Sequence, residues 1–194
     1  MFFQYVKKLE DKGYTEHSEV FVDGTKIESM ANRYTFVWLK QVSKQLEKIK
    51  TRLKELVCPQ GNLTSTKVEK RPEQLNAEIE AQGIEVKKGR GHHKPEIVRE
   101  RDELALLYSR WMEYNRKKAI CGENRNSYSK TDTDATFMHM KDDHMRNGQL
   151  KPGYNVQFAV NSGFITDIGV FSNRTDFGTP ILFLTYLWHK HGKS

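Results

Sequence analysis

The sequence predicts an α+β fold, in which a small antiparallel sheet is accompanied by long helices. From Tyr154 to Val170, apolar residues occupy alternate positions on both sides of an Asn161-Ser162-Gly163 turn, which is the pattern of a β-hairpin. Between Phe36 and Val57, apolar residues recur at steps of three and four, which is the pattern of an amphipathic helix. The two periods require different secondary structures, so the chain combines both.

A first strand is predicted near the N-terminus, at Val20–Val22, and it is followed directly by Asp23 and Gly24. An apolar, β-favouring run that ends in a charge is typical of a buried strand that presents a carboxylate at its edge. Asp-Gly is also a common turn pair, so a turn is the alternative. Because the hairpin is the best sheet partner available, we expect Val20–Val22 beside it, in a three-stranded antiparallel start of a mixed sheet.

Two long helices are predicted, at Phe36–Val57 and Pro95–Lys118, with a short helical candidate at Glu73–Gln82 between them. The apolar stripe of the first consists of Leu39, Val42, Leu46, Ile49, Leu53 and Leu56. Two long helices joined in this way most simply pack as an antiparallel hairpin inserted into the chain at 36–121, and a dimeric coiled coil is the alternative.

The remaining sequence is predicted to be irregular up to the hairpin and helical after it. Gly122–Pro152 is polar and indicates an extended loop, with a turn of helix around Ala135–Arg146. The run Ile181–Trp188 begins an amphipathic helix. A further element would be expected after this helix, where the chain ends at Ser194.

The formal net charge of +7 favours a polyanionic partner, because each Lys or Arg placed against a phosphate releases condensed counterions. The basic loop Lys87–Lys94 could contact phosphates or could be a solvated turn. The most apolar run, Pro180–Trp188, is far shorter than the roughly 20 residues that span a bilayer. With two unpaired cysteines and no secretory signal, the sequence predicts a soluble cytoplasmic protein without a membrane partner.

Three parts of the sequence together resemble one family, the DDE-type insertion-sequence transposases. Val20–Glu28 with Ala31–Trp38 is similar to the segment that carries the first catalytic Asp of this family. Ser129–Met138 resembles the connecting loop, and Lys151–Gln157 with Asn173–Asp176 resembles the hairpin that follows and its exit. The order and spacing of these parts agree over nearly the whole chain.

The resemblance implies a ribonuclease-H-like catalytic core, in which two Asp and one Glu hold two Mg²⁺ ions that cut and rejoin DNA. Only the first acidic position is carried over, and it falls on Asp23, as catalytic residue and metal ligand. In the family the second Asp follows the helix that starts near Ile181, and the Glu lies further on. The resemblance therefore implies an internal piece of a longer transposase, with DNA and a second transposase subunit as expected partners and no activity of its own.

The resemblance divides the chain into three parts. Residues 1–35 start the catalytic core, 36–121 form the inserted helical hairpin, and 122–194 contain the connecting loop, the β-hairpin and the first core helix.

The alternative functions are a non-catalytic basic DNA-binding or interaction module, and the product of a decayed gene. Two other clusters have plainer interpretations. Asp132 and Asp134 are more typical of a helix N-terminus than of a metal site. The paired histidines, His92 with His93 and His139 with His144, do not favour a zinc site, because the second pair is spaced by five and no Cys lies nearby.

Overall fold

The computed structural model of the chain describes residues 1–15, 19–84, 93–123, 125–141 and 148–191. It has a mixed α+β fold with antiparallel sheets, which confirms the predicted class at this level. The helices are α1 Phe2–Asp11, α2 Leu39–Val57, α3 Ser65–Ala81, α4 Glu96–Cys121 and α5 Thr179–His191. The strands are β1 Phe21–Glu28, β2 Phe36–Trp38, β3 Ser127–Ser129, β4 Thr136–His139, β5 Leu150–Asn161 and β6 Phe164–Phe171.

Backbone contacts divide the chain into two compact units. A sheet unit comprises Met1–Trp38 with Cys121–Ser194, and a helical unit comprises Leu39–Ile120. Among the described helices, none is long and apolar enough to cross a membrane.

The sheet unit is organised around β5, the longest of the described strands. β1 pairs antiparallel with one edge of β5, so that Gly153 lies opposite Glu28. Gly153 also lies opposite Thr136 of β4. Because one residue cannot pair with two strands on the same side, β4 occupies the other edge of β5. β6 pairs antiparallel with that same edge further along, from Asn155 to Asn161. The expected three-stranded antiparallel arrangement of the first strand and the hairpin is confirmed.

The hairpin between β5 and β6 turns through two residues with left-handed backbone. Ser162 has φ of 52° and Gly163 has φ of 82°. Two consecutive positive φ values define the type I′ turn, whose twist matches that of the flanking strands. The Asn161-Ser162-Gly163 sequence thus forms the turn that its composition predicts.

Helix α5 covers one face of this sheet. Phe183 and Leu187 pack against Ala159 at the centre of β5. A Cβ atom at Gly169 of β6 would lie 2.7 Å from the Phe183 ring, so the absence of a side chain there allows the helix to approach closely. The Lys190 ammonium forms an ion pair with Asp167, whose side chain is buried. The helix predicted from Ile181 is confirmed, and Thr179 begins it with Pro180 in its first turn.

Two predicted segments differ from the structure, and the one expected as the loop Gly122–Pro152 contains β3, β4 and the start of β5. Phe36–Trp38 is not the start of the long helix but the short strand β2, which pairs with β3. The turn of helix expected from Ala135 is wrong for Thr136–His139, which form β4. The rest of that segment, residues 142–147, lies outside the described residues. Both strands are too short for a period to be recognised, and their pairing depends on another strand, which local periodicity does not reveal.

The helical unit has a core shared by three helices. Ile49 and Leu53 of α2 pack with Val68 and Leu75 of α3 and with Leu104 of α4. Two residues of the predicted apolar stripe, Ile49 and Leu53, thus lie in this core, as expected. Helix α3 also contributes to this core, which the predicted pair of helices did not include.

Helix α3 is longer than its prediction because it continues through Pro72. Proline inside a helix removes a backbone hydrogen bond and clashes with the preceding turn, so a helix that runs through Pro72 goes against local propensity. The helix nevertheless begins at Ser65, and the buried Val68 lies on the N-terminal side of the proline. Burial on both sides of Pro72 stabilises a helix that propensity alone would interrupt.

Candidate metal site around Asp23

Asp23 lies inside β1, opposite Phe158 of β5, which in turn lies opposite Ile168 of β6. Residues that oppose one another on neighbouring strands project from the same face of a sheet. The adjacent Val22 lies opposite Ala159, on the face covered by α5. Asp23 therefore projects from the face that α5 does not cover. Because Asp23-Gly24 is continuous strand, the alternative of an Asp-Gly turn is wrong.

The face that carries Asp23 is open over much of its area. Asp23 itself is exposed. Its neighbours on this face include apolar side chains that remain in contact with solvent, with 69% of Phe21 and 62% of Val170 exposed. A carboxylate among exposed apolar groups is accessible to an ion or to a further chain segment.

The backbone beneath Asp23 is fixed from the opposite face. Gln157 lies across from Gly24, and its amide occupies the space that a Cβ atom at Gly24 would need. Gln157 Nε2 donates to Asn155 Oδ1 over 2.8 Å, and Asn155 Nδ2 donates to Asp176 Oδ1 over 2.9 Å. Gln157 and Asn155 are buried, so this chain of hydrogen bonds satisfies amides that would otherwise be costly to bury. Glycine at position 24 follows from this packing.

A cationic group also lies close to Asp23 along the backbone. The Lys141 ammonium donates a hydrogen bond to the carbonyl oxygen of Gly24. Among the described residues, no group of three His, Cys, Asp or Glu side chains could hold a metal ion. Two Mg²⁺ ions need several converging oxygen ligands, so the described residues alone do not fit such a pair.

Asp132 has a structural role that the sequence does not reveal. Ser29 Oγ, just beyond β1, donates to Asp132 Oδ2 over 2.5 Å, and the Tyr154 hydroxyl donates to the same oxygen. Asp132 Oδ1 accepts a hydrogen bond from the backbone N–H of Asp134 over 3.3 Å. The carboxylate therefore joins β1, the loop before β4, and β5. It caps a turn that leads into a strand, whereas the sequence suggested a helix N-terminus.

These contacts change the acidity of both partners. Burial is the largest influence on the pKa of Asp132 and raises it, but the hydrogen bonds from Ser29, Tyr154 and the backbone amides outweigh burial and lower the pKa. Donation to the Asp132 carboxylate raises the pKa of the Tyr154 hydroxyl. A carboxyl group whose pKa is lower in the folded than in the unfolded state stabilises the fold at pH values above its unfolded-state pKa. This contribution is lost as the pH falls through the folded-state pKa.

The loop that contains Asp132 repeats the geometry of the loop after β1, one hundred positions earlier. Asn32 Oδ1 accepts from the Tyr34 N–H, as Asp132 Oδ1 accepts from the Asp134 N–H. The Ala31 N–H donates to Ser29 Oγ, and the Thr131 N–H donates to Ser129 Oγ. The loops are also joined directly, because the Asn32 N–H donates to Thr131 Oγ1 over 2.9 Å. Two matching side-chain turns thus support each other at the end of β1.

Replacing Tyr154 with Phe is expected to raise the pKa of Asp132, because the carboxylate loses a donor that stabilises its charged form. Stability above the ordinary pKa of Asp should fall by about 1 kcal/mol, the typical contribution of one hydrogen bond. The dependence of the unfolding free energy on acidic pH should flatten as well. A ¹³C NMR titration of the Asp132 carboxyl group and urea unfolding at several pH values would measure both effects.

Tyr34→Phe is the matched control, since 83% of Tyr34 is exposed. This control should leave the pKa of Asp132 unchanged. An Asp132 pKa that is the same in Tyr154→Phe as in the wild type would contradict the assigned hydrogen bond.

Among the described residues, the other acidic and metal-binding candidates form no metal-binding group with Asp23. Asp134 lines an open cleft of about 370 Å³ together with Tyr154, Arg125 and the buried Cys121. Asp176 is held by Asn155, on the face opposite Asp23. Of the histidines considered for zinc, His92 and His144 lie outside the described residues. The structure thus brings Asp23 together with none of the acids that sequence reasoning had singled out.

The Ser29, Asp132 and Tyr154 contacts were missed because their partners are far apart in sequence. One signal in the sequence could have suggested these contacts. Ser29 and Asn32 are three positions apart, and Ser129 and Asp132 have the same spacing. No family model, curated protein or solved structure matches the chain.

Proposed function

We propose that the sheet unit is part of a ribonuclease-H-like core of a DDE-type transposase, in which Asp23 is the first of three metal-binding acids. The observation that carries the proposal is the position of Asp23. It lies in the interior of β1, at one edge of an antiparallel β1-β5-β6 arrangement, and projects away from α5. The resemblance of Val20–Glu28 to the first-acid segment of that family supports the same assignment.

The open edge of β1 supports the proposal further. Among the described residues, β1 pairs with β5 only, which leaves its other edge available. Because β1 and β6 are both antiparallel to β5, they run in the same direction. A strand that followed α5 in a right-handed crossover from β6 would therefore run parallel to β1 and could pair with it. An acid on such a strand would be a neighbour of Asp23.

The proposed chemistry is cleavage and joining of DNA by phosphoryl transfer. Two divalent ions held at such a site would supply charge stabilisation for the attacking and leaving oxygens. Asp23 would provide one oxygen ligand from a rigid strand, which the buried Gln157 and Asn155 amides keep in place. The remaining ligands must come from residues other than those described, as the family pattern of a second Asp and a Glu implies.

A second candidate function is a non-catalytic DNA-binding module. The observation that favours it is the charge of α2, which carries six basic residues and two acidic ones. The two candidates differ in the role of Asp23, which matters for the first and is irrelevant to the second.

The 194-residue chain is expected to show no Asp23-dependent cleavage of supercoiled plasmid with Mg²⁺ or Mn²⁺. The described residues place no second metal-binding acid with Asp23, and one carboxylate cannot position two ions. The comparison is wild type against Asp23→Asn, which keeps the shape of the side chain and removes its charge. Nicking that disappears in the variant would mean that other residues of this chain complete the site.

The reading frame on both sides of the coding sequence provides the complementary test of the proposed family. We expect it to encode a strand that carries an Asp after a segment equivalent to α5, and a helix with a Glu further on. A following reading frame without these acids would remove the basis of the transposase proposal.

A further inference from the structure

Helix α2 has a concentration of positive charge that the other long helices lack. It contains six basic residues and only two acidic ones, Glu47 and Glu55. Helix α3 has three basic and four acidic residues, and α4 has six basic and five acidic ones. More than half of the formal excess of +7 is therefore located on one helix of 19 residues.

Three lysines form a row along the solvent side of α2. Lys40, Lys44 and Lys48 follow one another at intervals of four residues and are exposed. Each interval advances about 6 Å along the helix and about 40° around it, so the row spans about 12 Å within one sector. The buried residues Val42, Leu46, Ile49 and Leu53 occupy the opposite side. The helix thus presents the row to solvent from a rigid support.

Neither acid of α2 neutralises this row. Glu47 pairs with Lys50 over 3.2 Å, and Glu55 pairs with Arg52 over 3.1 Å. Arg52 also bonds to Glu103 of α4 over 2.6 Å. Among the described residues, Lys40, Lys44 and Lys48 form no ion pair and no side-chain hydrogen bond. Like charges at intervals of four destabilise a helix slightly, and a bound polyanion would remove that cost.

We propose that Lys40, Lys44 and Lys48 form a contact row for the phosphate backbone of double-stranded DNA. Duplex DNA carries one negative charge per about 1.7 Å of its axis, which is enough to face all three ammonium groups at once. The exposed Gln41 lies beside the row and can donate a further hydrogen bond to a phosphate oxygen. The row itself contains no apolar side chain, whereas a membrane-surface helix needs an apolar face free to insert. The apolar face of α2 is buried in the helical unit.

This inference rests on the proposed function for the choice of DNA among polyanions, but it concerns binding and not cleavage. Lysine contacts to phosphate carry no sequence information. Binding through the row is therefore independent of sequence, and it weakens steeply as salt displaces the protein.

The experiment measures binding of the 194-residue chain to fluorescent duplexes of two unrelated sequences over a series of salt concentrations. The test variant combines Lys40→Gln, Lys44→Gln and Lys48→Gln. Each lost phosphate contact lowers the slope of log affinity against log salt by about 0.9, so the slope should fall by about 2 to 3. At low salt the affinity should fall at least about tenfold.

The matched control combines Lys50→Gln, Lys94→Gln and Lys117→Gln, which removes the same total charge from the same unit. These lysines are ion-paired, with Glu47, Asp102 and Glu113 respectively. The control should keep a slope within about one unit of the wild type. Circular dichroism would show that both variants retain their helix content.

Equal losses in the two variants would overturn the contact row, since net charge alone would then explain binding. So would a wild-type chain that does not bind duplex at low salt, or a test variant that loses affinity for phosphatidylserine vesicles and not for DNA. Failure of the transposase proposal has a different signature. In that case the acids would be missing from the adjoining reading frame, while the lysine variant would still reduce DNA binding.

Discussion

Leu53→Asp is expected to unfold the helical unit while the sheet unit keeps its hydrogen bonds. Leu53 is fully buried among residues from α2, α3 and α4. Truncation of such a leucine alone costs about 2 to 5 kcal/mol, and an unpaired carboxylate in the same place costs more. The loss is comparable to the whole stability of a small domain, so the three helices should separate.

Hydrogen exchange measured by mass spectrometry would distinguish the two units. Peptides from Leu39–Ile120 should lose protection, whereas peptides from β1, β5 and β6 should retain it. Leu106→Asp is the matched control, because Leu106 lies on α4 with 52% of its surface exposed, and it should cost less than about 1 kcal/mol. Uniform loss of protection across both units in Leu53→Asp would show that the chain unfolds as a single cooperative body.

The long elements were predictable because their patterns repeat within the element itself. The steps of three and four from Val42 to Leu53 predicted α2, and all four of its buried positions follow that pattern. Alternation on both sides of Ser162-Gly163 predicted β5, β6 and the turn between them. In each case the number of apolar positions was large enough for a period to be recognised.

The short elements were not predictable because their stability depends on distant partners. Phe36–Trp38 has three residues, too few to define a period, and its partner Ser127–Ser129 lies about ninety positions away. Thr136–His139 is a strand because β5 extends to Leu150 and offers it a free edge. Such pairings are set by tertiary structure, which local propensity does not encode.

The candidate site was predicted only in part for a related reason. A charged residue after a β-favouring run located Asp23 on a strand beside the hairpin. The sequence could not show which carboxylates are already engaged, since Ser29 and Asp132 are 103 positions apart. For the same reason it could not separate the unpaired lysines of α2 from Arg52, whose partner Glu103 is 51 positions away. A sequence shows which residues are charged, but only the structure shows which of them form ion pairs.

Asp23→Asn is expected to abolish DNA cleavage by the protein that includes the following reading frame, with a loss of at least about a thousandfold. Phosphoryl transfer depends on positioning and on charge stabilisation, and loss of a single stabilising group commonly costs a hundredfold to a thousandfold. A metal ligand contributes to both effects, so its removal belongs at the upper end of that range. The assay is Mn²⁺-dependent nicking of supercoiled plasmid, compared over a range of protein concentrations.

Asp134→Asn is the matched control, because Asp134 is an exposed carboxylate of the same unit. This variant should leave cleavage within about threefold of the wild type.

Asp23→Cys distinguishes a metal ligand from a residue that merely stabilises the strand. A thiolate is a poor ligand for Mg²⁺ and a better one for softer ions, so this variant should be inactive with Mg²⁺ and partly active with Mn²⁺. A structural role for Asp23 would make cleavage equally weak with both ions. Activity that survives Asp23→Asn would place the reaction elsewhere in the protein and leave Asp23 as an ordinary solvent-exposed strand residue.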